Sequence, residues 1–273
     1  MTFADLTRLE PRLPIRSEQG TDVYPFDVEV PDGWQQGAGA FGGYVLAVLT
    51  RGAETVAPGR PLRSLTAEIP TPLQPGPATV LVEVLRAGQS ATTVAARVVQ
   101  KGQLQAHAVA VLGASRALDG VSNLVELTPP KIPDWRDLTP LPQGLPFIPT
   151  FARHFEFRVA EGTPFSSSPT SGTSGWIRLR EPGPLKDAPL VVAHVDAWWP
   201  AELARLSRPR PIVTAAFAMQ MVGGASVWTT DAPLLHTSRT QALRDGYLTE
   251  ARQLWTEAGE LVALNQQMLV VVK

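Results

Sequence analysis

The sequence predicts an α+β chain in which one unit, a buried helix followed by an antiparallel meander, occurs twice. Three observations carry that prediction. One early segment is apolar on nearly every helical face, the segments after it alternate apolar and polar residues, and short motifs from the first half recur in the same order in the second.

The helix is expected over residues 43–56. Tyr44, Val45, Leu46, Val48 and Leu49 make it apolar almost all round, and polar Arg51 and Glu54 come only near its end. A helix of that kind is wrapped by the rest of its fold. In residues 63–69, Leu65, Ala67 and Ile69 alternate with Ser64, Thr66 and Glu68, the period of a half-buried strand. Residues 79–86 form a second candidate strand, with Val80, Val82 and Val84 on one face. Residues 92–100 and 104–112 flank Lys101-Gly102, a two-residue hairpin signal.

The first half contains Arg86-Ala87-Gly88 and then Gly102-Gln103-Leu104-Gln105-Ala106. The second contains Arg244-Asp245-Gly246 and then Gly259-Glu260-Leu261-Val262-Ala263. Both read R-x-G, a strand-length gap, then G-x-L-x-A. Upstream, Pro61-Leu62-Arg63-Ser64 aligns with Pro211-Ile212-Val213-Thr214. Unrelated hairpins can share glycine turns, but common order at near-constant offset favours duplication. Between the halves lie Pro129, Pro130, Pro133, Pro140, Pro142, Pro146 and Pro149, which can continue neither a helix nor a central strand. The expected division is therefore an N-terminal domain over 20–115, a proline-rich linker over 116–149 and a C-terminal domain over 150–273.

Composition excludes several chemistries. The chain has 273 residues and a formal net charge of -1, so no basic field suggests nucleic acid. It has no cysteine, which removes disulfides, thiolate metal sites and thiol nucleophiles and is compatible with a reducing cytoplasm. The apolar run Tyr44 to Leu49 is far short of the roughly 20 residues that span a bilayer. The first residues carry no signal-peptide pattern. A cytoplasmic protein with no membrane partner is the expectation.

Residues 37–42 match G-x-G-x-x-G before a helix, but Pro31-Asp32-Gly33 interrupts the strand that a dinucleotide site requires. The small residues let a helix start approach a neighbour or a ligand closely, and its N–H groups could hydrogen-bond an acyl oxygen or an anion. Gly172-Thr173-Ser174-Gly175 lacks the nucleophile elbow and lies in a Ser/Thr/Gly/Pro-rich run read as a loop. His107, His154, His194 and His236 lack metal-ligand spacing, so no metal and no cofactor are expected. Asp196, in the apolar run from Leu190 to Pro200, has two readings: the cap of a following helix, or an acid-base group in an apolar site. Gln267 also has two, facing solvent or filling a hydrogen-bonding site in a C-terminal strand.

In combination these segments resemble a family. Phe41-Gly42-Gly43-Tyr44-Val45, Leu62-Arg63-Ser64-Leu65 and Arg86-Ala87-Gly88 in the first half, then Phe151 to Glu156, Gly175 to Arg180, Asp196-Ala197-Trp198-Trp199-Pro200 and Gly259 to Gln267, resemble the type II acyl-CoA thioesterases. The resemblance implies a double hot-dog fold, two repeats of a long helix on a curled antiparallel sheet. It implies hydrolysis of an acyl-CoA thioester to free acid and CoA by a water held by Asp196, Thr214 and Gln267, with Gly42, Gly43 and Trp198 at the substrate. It also implies a homodimer or higher homo-oligomer. The first half offers Ser64 opposite Thr214 but Ala110 opposite Gln267. One departure stands out: where the family follows its hydroxyl with Asp-His-Ser-Met-Trp-Phe-His, this chain has Ala216-Phe217-Ala218-Met219-Gln220-Met221-Val222. The alternative is an acyl- or lipid-binding protein of the same fold without catalysis.

Overall fold

Two helices and the strands they cover dominate the computed structural model, which describes residues 1–18, 20–116, 119–120, 123–144, 148–184, 186–228 and 231–272. The first half contributes β1 (Asp22–Val30), α1 (Gly42–Thr55), β2 (Leu62–Glu68), β3 (Gly76–Ala87), β4 (Ala91–Gln100) and β5 (Gln103–Gly113). The second contributes β6 (Phe155–Glu161), β7 (Gly172–Leu179), α2 (Ala188–Ala197), β8 (Ile212–Met221), β9 (Leu234–Arg244), β10 (Tyr247–Trp255) and β11 (Leu261–Val271). The helix and the four first-half strands expected from the sequence are all present, each within a few residues of the expected ends.

The strands form one open, 13-stranded sheet in the order β1-β3-β4-β5-β2-β8-β11-β10-β9-β7-β6, with two-residue strands at Glu10–Pro11 and Ile15–Arg16 beside β1. The order reads alike from both sides of the β2–β8 junction, where Phe217 pairs with Ala67 and Met219 with Leu65. The repeated motifs fall on equivalent turns. R-x-G closes the β3–β4 and β9–β10 hairpins, and G-x-L-x-A opens β5 and β11. Lys101-Gly102 and Asp245-Gly246 have positive φ at both residues, the turn that suits the twist of an antiparallel pair.

The registers revise one expected equivalence. A bulge at Arg63 separates the Leu62–Leu112 and Ser64–Val111 pairs, and a bulge at Ala215 separates Thr214–Leu269 from Ala216–Met268. Each bulge shifts its strand by one residue. Superposing the bulges puts Leu62, not Ser64, in the place of Thr214, and keeps Ala110 in the place of Gln267.

Both helices lie on the inner face. Beneath α1 the strands present Val80, Val82, Val94, Ala96, Val98, Ala106, Ala108 and Ala110, small side chains that let the helix sit close. The helices pack antiparallel, joined at both ends. The start of α1 meets the last turn of α2, where Gly43 has no room for a side chain between the Phe41 ring and Ala193 Cα, which a Cβ would approach to 3.1 Å. At the other end Arg51 pairs with Asp187 (3.0 Å), whose carboxylate caps α2 by accepting the Leu190 N–H. Glu54 lies beside this pair, accepts the Leu62 N–H, and is pushed up to about 7 by burial and by the Asp187 charge.

Of the proline-rich stretch, residues 123–128 are exposed, whereas the part from Ile132 to Leu138 is packed down. Ile132, Trp135 and Leu138 cover Trp176, Leu235, Trp255 and Leu261 on the outer face of the second half. Trp176 Nε1 donates to the Pro133 carbonyl (3.0 Å), and Arg158 donates to the carbonyls of Trp135 and Leu138 (both 2.8 Å). Pro146 lies outside the described residues. The Gly172–Gly175 run expected as loop is instead the start of β7, with Thr173 and Ser174 buried. Residues 37–42 do not follow a central strand; Gln35–Gln36 and Gly39–Ala40 form a separate two-stranded ribbon.

Glu54 gives a stability test. Its folded-state value exceeds its unfolded one, so the carboxylic acid's contribution is intact at low pH and is lost as pH rises through about 7. Glu54→Gln is expected to stabilise the protein above pH 7 by on the order of 1 kcal/mol, allowing for solvent screening, and to be neutral near pH 4. Urea unfolding at both pH values measures it.

Candidate active site

Asp196 is in the last turn of α2, and the short helical turn that follows, Ala201–Ala204, starts at Pro200, so the capping reading fails. The sequence from Ala188 to Ala197 is apolar almost throughout and is buried on all sides except at Asp196, which is half-buried. Its carboxyl points to the start of α1. The Gly43 N–H donates to it, and a Cβ on Gly42 would lie 2.7 Å from Oδ2, so only glycine leaves that oxygen room.

Gln267, 1% exposed on β11, settles its two readings: it faces inward and donates from Nε2 to Asp196 Oδ1 (3.1 Å). Thr214, at the bulge in β8, donates from Oγ1 to Gln267 Oε1 (2.9 Å). The three residues expected to act together therefore form one hydrogen-bonded chain, Thr214–Gln267–Asp196. The amide orientation follows from chemistry, because a carboxylate offers only acceptors and must meet the NH₂ side. With its hydrogen on Gln267, the Thr214 oxygen keeps lone pairs for a third group.

Burial pushes the Asp196 carboxyl above the usual carboxylate range. The Arg252 charge, the Gln267 amide and the Gly43 N–H pull the other way and do not cancel it. The other expected residues divide. Gly42 and Gly43 shape the carboxylate's surroundings. Trp198 is 1% exposed, stacks on His236 (5.1 Å between centroids) and donates to Thr173 Oγ1 (3.0 Å); it is core rather than an open substrate surface. His194 uses both ring nitrogens, donating to the Leu190 carbonyl and accepting the Leu179 N–H, and burial lowers it to about 4. Surface clefts of about 860 and 440 Å³ lie elsewhere; neither is lined by Asp196, Thr214 or Gln267. Among the described residues no group of His, Asp or Glu could hold a metal ion, and no helix is long and apolar enough to cross a membrane.

Residues 30–113 match the acyl-CoA thioesterase N-terminal domain, and residues 127–271 match the acyl-CoA thioesterase C-terminal domain. The chain belongs to the acyl-CoA thioesterase family. Its fold is that of a hot-dog protein of unknown function from Alicyclobacillus acidocaldarius (TM-score 0.84, 23% identity, 99% of this chain and 98% of that one). It is also that of a candidate thioesterase II from Thermobifida fusca (0.82, 21%, 100% and 98%) and of the acyl-CoA thioesterase II TesB2 from Mycobacterium marinum (0.73, 20%, 99% and 98%). No curated protein matches the chain.

Within this thioesterase fold, sequence reasoning missed two neighbours of the trio. Glu250 and Arg252 on β10 are 0% and 2% exposed in their side chains and paired at 2.8 Å. A signal was present: both charges fall in phase with buried Leu248 and Leu254, on the apolar side of the strand. For Asp196, a raised folded-state value means that its neutral form's contribution is present at low pH and is lost as pH rises through that value. Asp196→Asn removes the charge and keeps one acceptor oxygen facing the donors of this site. It is expected to raise Tm at pH 8 by about 2–4 °C and to be indistinguishable from wild type near pH 4 in calorimetry.

Proposed function

We propose that the protein hydrolyses an acyl-CoA thioester to the free acid and CoA with a water activated by Asp196. The observation that carries this reading is the Thr214–Gln267–Asp196 chain. A water beside the carboxylate gives one hydrogen to Asp196 and the other to the Thr214 oxygen, leaving a lone pair aimed at the thioester carbon. Attack forms a tetrahedral oxyanion, which the positive end of α1 favours. Collapse breaks the C–S bond, and the proton held by Asp196 passes to the departing thiolate. Gln267 does not touch substrate; it keeps Asp196 and Thr214 at a fixed separation.

The reading extends to architecture: a domain over 20–115, a connector over 116–149 and a catalytic domain over 150–273. A cytoplasmic homo-oligomer is part of the same proposal. Exposed Val109, Val111 and Met268 on the outer sheet face support it, being apolar side chains on β5 and β11, the strands that flank the central β2–β8 pair. Light scattering in solution tests the oligomer.

Turnover on an acyl-CoA chain-length panel tests the chemistry. Asp196→Asn is expected to lower kcat by about 10²–10⁴-fold, the usual worth of a general base. Thr214→Ala and Gln267→Ala should each cost about tenfold or more through lost orientation. Activity should fall as pH drops through a value above the ordinary carboxylate range. Binding of acyl-CoA without turnover by the wild type, with indifference to Gln267→Ala, would instead identify a non-catalytic acyl-binding protein, a reading favoured by the apolar run after Thr214.

A further inference from the structure

The end of a helix is the unfavourable place for a carboxylate. Its last carbonyls lack intrahelical partners and carry the negative pole of the helix dipole. Asp196 occupies that place on α2, and what offsets it is Arg252. The Arg252 guanidinium reaches in from β10 and donates from Nη1 to the carbonyls of Val195 (3.0 Å), Asp196 (3.3 Å) and Trp198 (3.1 Å). Its Nε donates to Glu250 Oε1 (2.8 Å), while Glu250 Oε2 accepts the Ala201 N–H (2.6 Å) beyond the helix. Both side chains are almost wholly buried. Glu250 stands opposite Gln267 across the β10–β11 ladder, so the pair borders the trio.

A buried ion pair is a poor source of stability, because desolvation takes back most of the Coulomb gain. Its orientation is the informative part. Every polar contact named above goes to the backbone from Val195 to Ala201 or to the partner charge. We propose that Arg252, held by Glu250, is the positioning residue of this site: it seals the carbonyl end of α2, sets a positive charge behind the Asp196 carboxylate and keeps that carboxylate aligned with Gln267. The inference rests on the reading of Asp196 as the base.

Among the described residues, the titratable and charged groups packed around this end of α2 include Arg252 and Glu250 of β10, His236 of β9, His194 of α2, and Glu202 with its partner Arg205 in the turn after it. Of these, Arg252 is the charge that acts on the Asp196 carboxyl, and it acts to lower its pKa. Burial holds His194 and His236 neutral.

The test is a ¹³C-carboxyl NMR titration of Asp196, assigned with Asp196→Asn, in the full-length wild type, Arg252→Met and Arg252→Lys, beside pH–rate profiles of the same proteins. The expected result is a higher Asp196 midpoint in Arg252→Met, an acid limb displaced the same way, and kcat lower by about tenfold or more with KM within about twofold. Arg252→Lys should restore the midpoint and part of kcat, since it returns the charge without the planar fork. Should Arg252→Met fail to fold, Glu250→Gln takes its place, with the midpoint expected to fall because the guanidinium loses its counter-charge. A midpoint unchanged across the folded variants overturns the proposal. The titration does not need turnover, so a wild type that shows these midpoints without hydrolysing any thioester overturns the catalytic reading and leaves the positioning of Asp196 standing.

Discussion

The contact between the first turn of α1 and the last turn of α2 is the constraint on which the rest of the site depends. One backbone N–H, that of Gly43, bonds a carboxyl from the other half of the chain, and two glycines make the approach possible. Neither half holds this arrangement alone. The helix start comes from the first half; Asp196, Thr214 and Gln267 come from the second. The antiparallel crossing follows from the β2–β8 pairing, which joins the half-sheets into one surface and brings their helices side by side.

The halves share a scaffold and differ in what they turn inward. Successive strands of the first half place Val82, Ala96, Ala108 and Ala67 in one row under α1. The second half places Thr173, Ser238, Arg252 and Asn265 in a comparable row, with Glu250 and Gln267 in the next. Apolar rows contribute burial free energy, whereas polar rows cost desolvation unless each member is hydrogen-bonded. Apolar and polar rows are thereby divided between the copies. At the places of Thr214 and Gln267 the first copy has Leu62 and Ala110, so it cannot assemble the same chain of hydrogen bonds.

Much of the fold was legible because it rests on local pattern. The period-two runs, the Lys101-Gly102 turn and the all-round apolar helix are each determined within a dozen residues. The repeat was legible because hairpin turns need glycine or positive φ at fixed places. What failed depended on tertiary pairing. A bulge adds a residue without any composition signal, so Ser64 looked equivalent to Thr214 when Leu62 is. Asp196 looked like a cap because nothing near it in sequence shows that its partner is Gly43, over 150 positions away. Thr173 and Ser174 looked like loop residues because polar residues inside a strand are explained only by the strand beside them. At the site, residue identities came from family resemblance; their hydrogen-bonded order came from the structure.

The departure after Thr214 takes a different weight once the strand is seen. Ala216 to Met221 lies in β8, a central strand, where alternate residues face opposite sides of the sheet. Phe217, Met219 and Met221 face the core; Gln220 and Val222 are exposed on the other side. The aspartate and the last histidine of the family's run would therefore stand at the places of Ala216 and Val222, turned away from Asp196. Of its aspartate and histidines, just the first histidine would face inward, at the place of Phe217, which is 1% exposed and pairs directly with Gln267. The change near the trio thus reduces to one wall. An imidazole that could share the Gln267 amide is replaced by a ring that cannot, which leaves the amide wholly to Thr214 and Asp196 and makes that side of the site apolar. That places the divergence in one inward-facing side chain beside Gln267, and leaves the Thr214–Gln267–Asp196 hydrogen bonds intact.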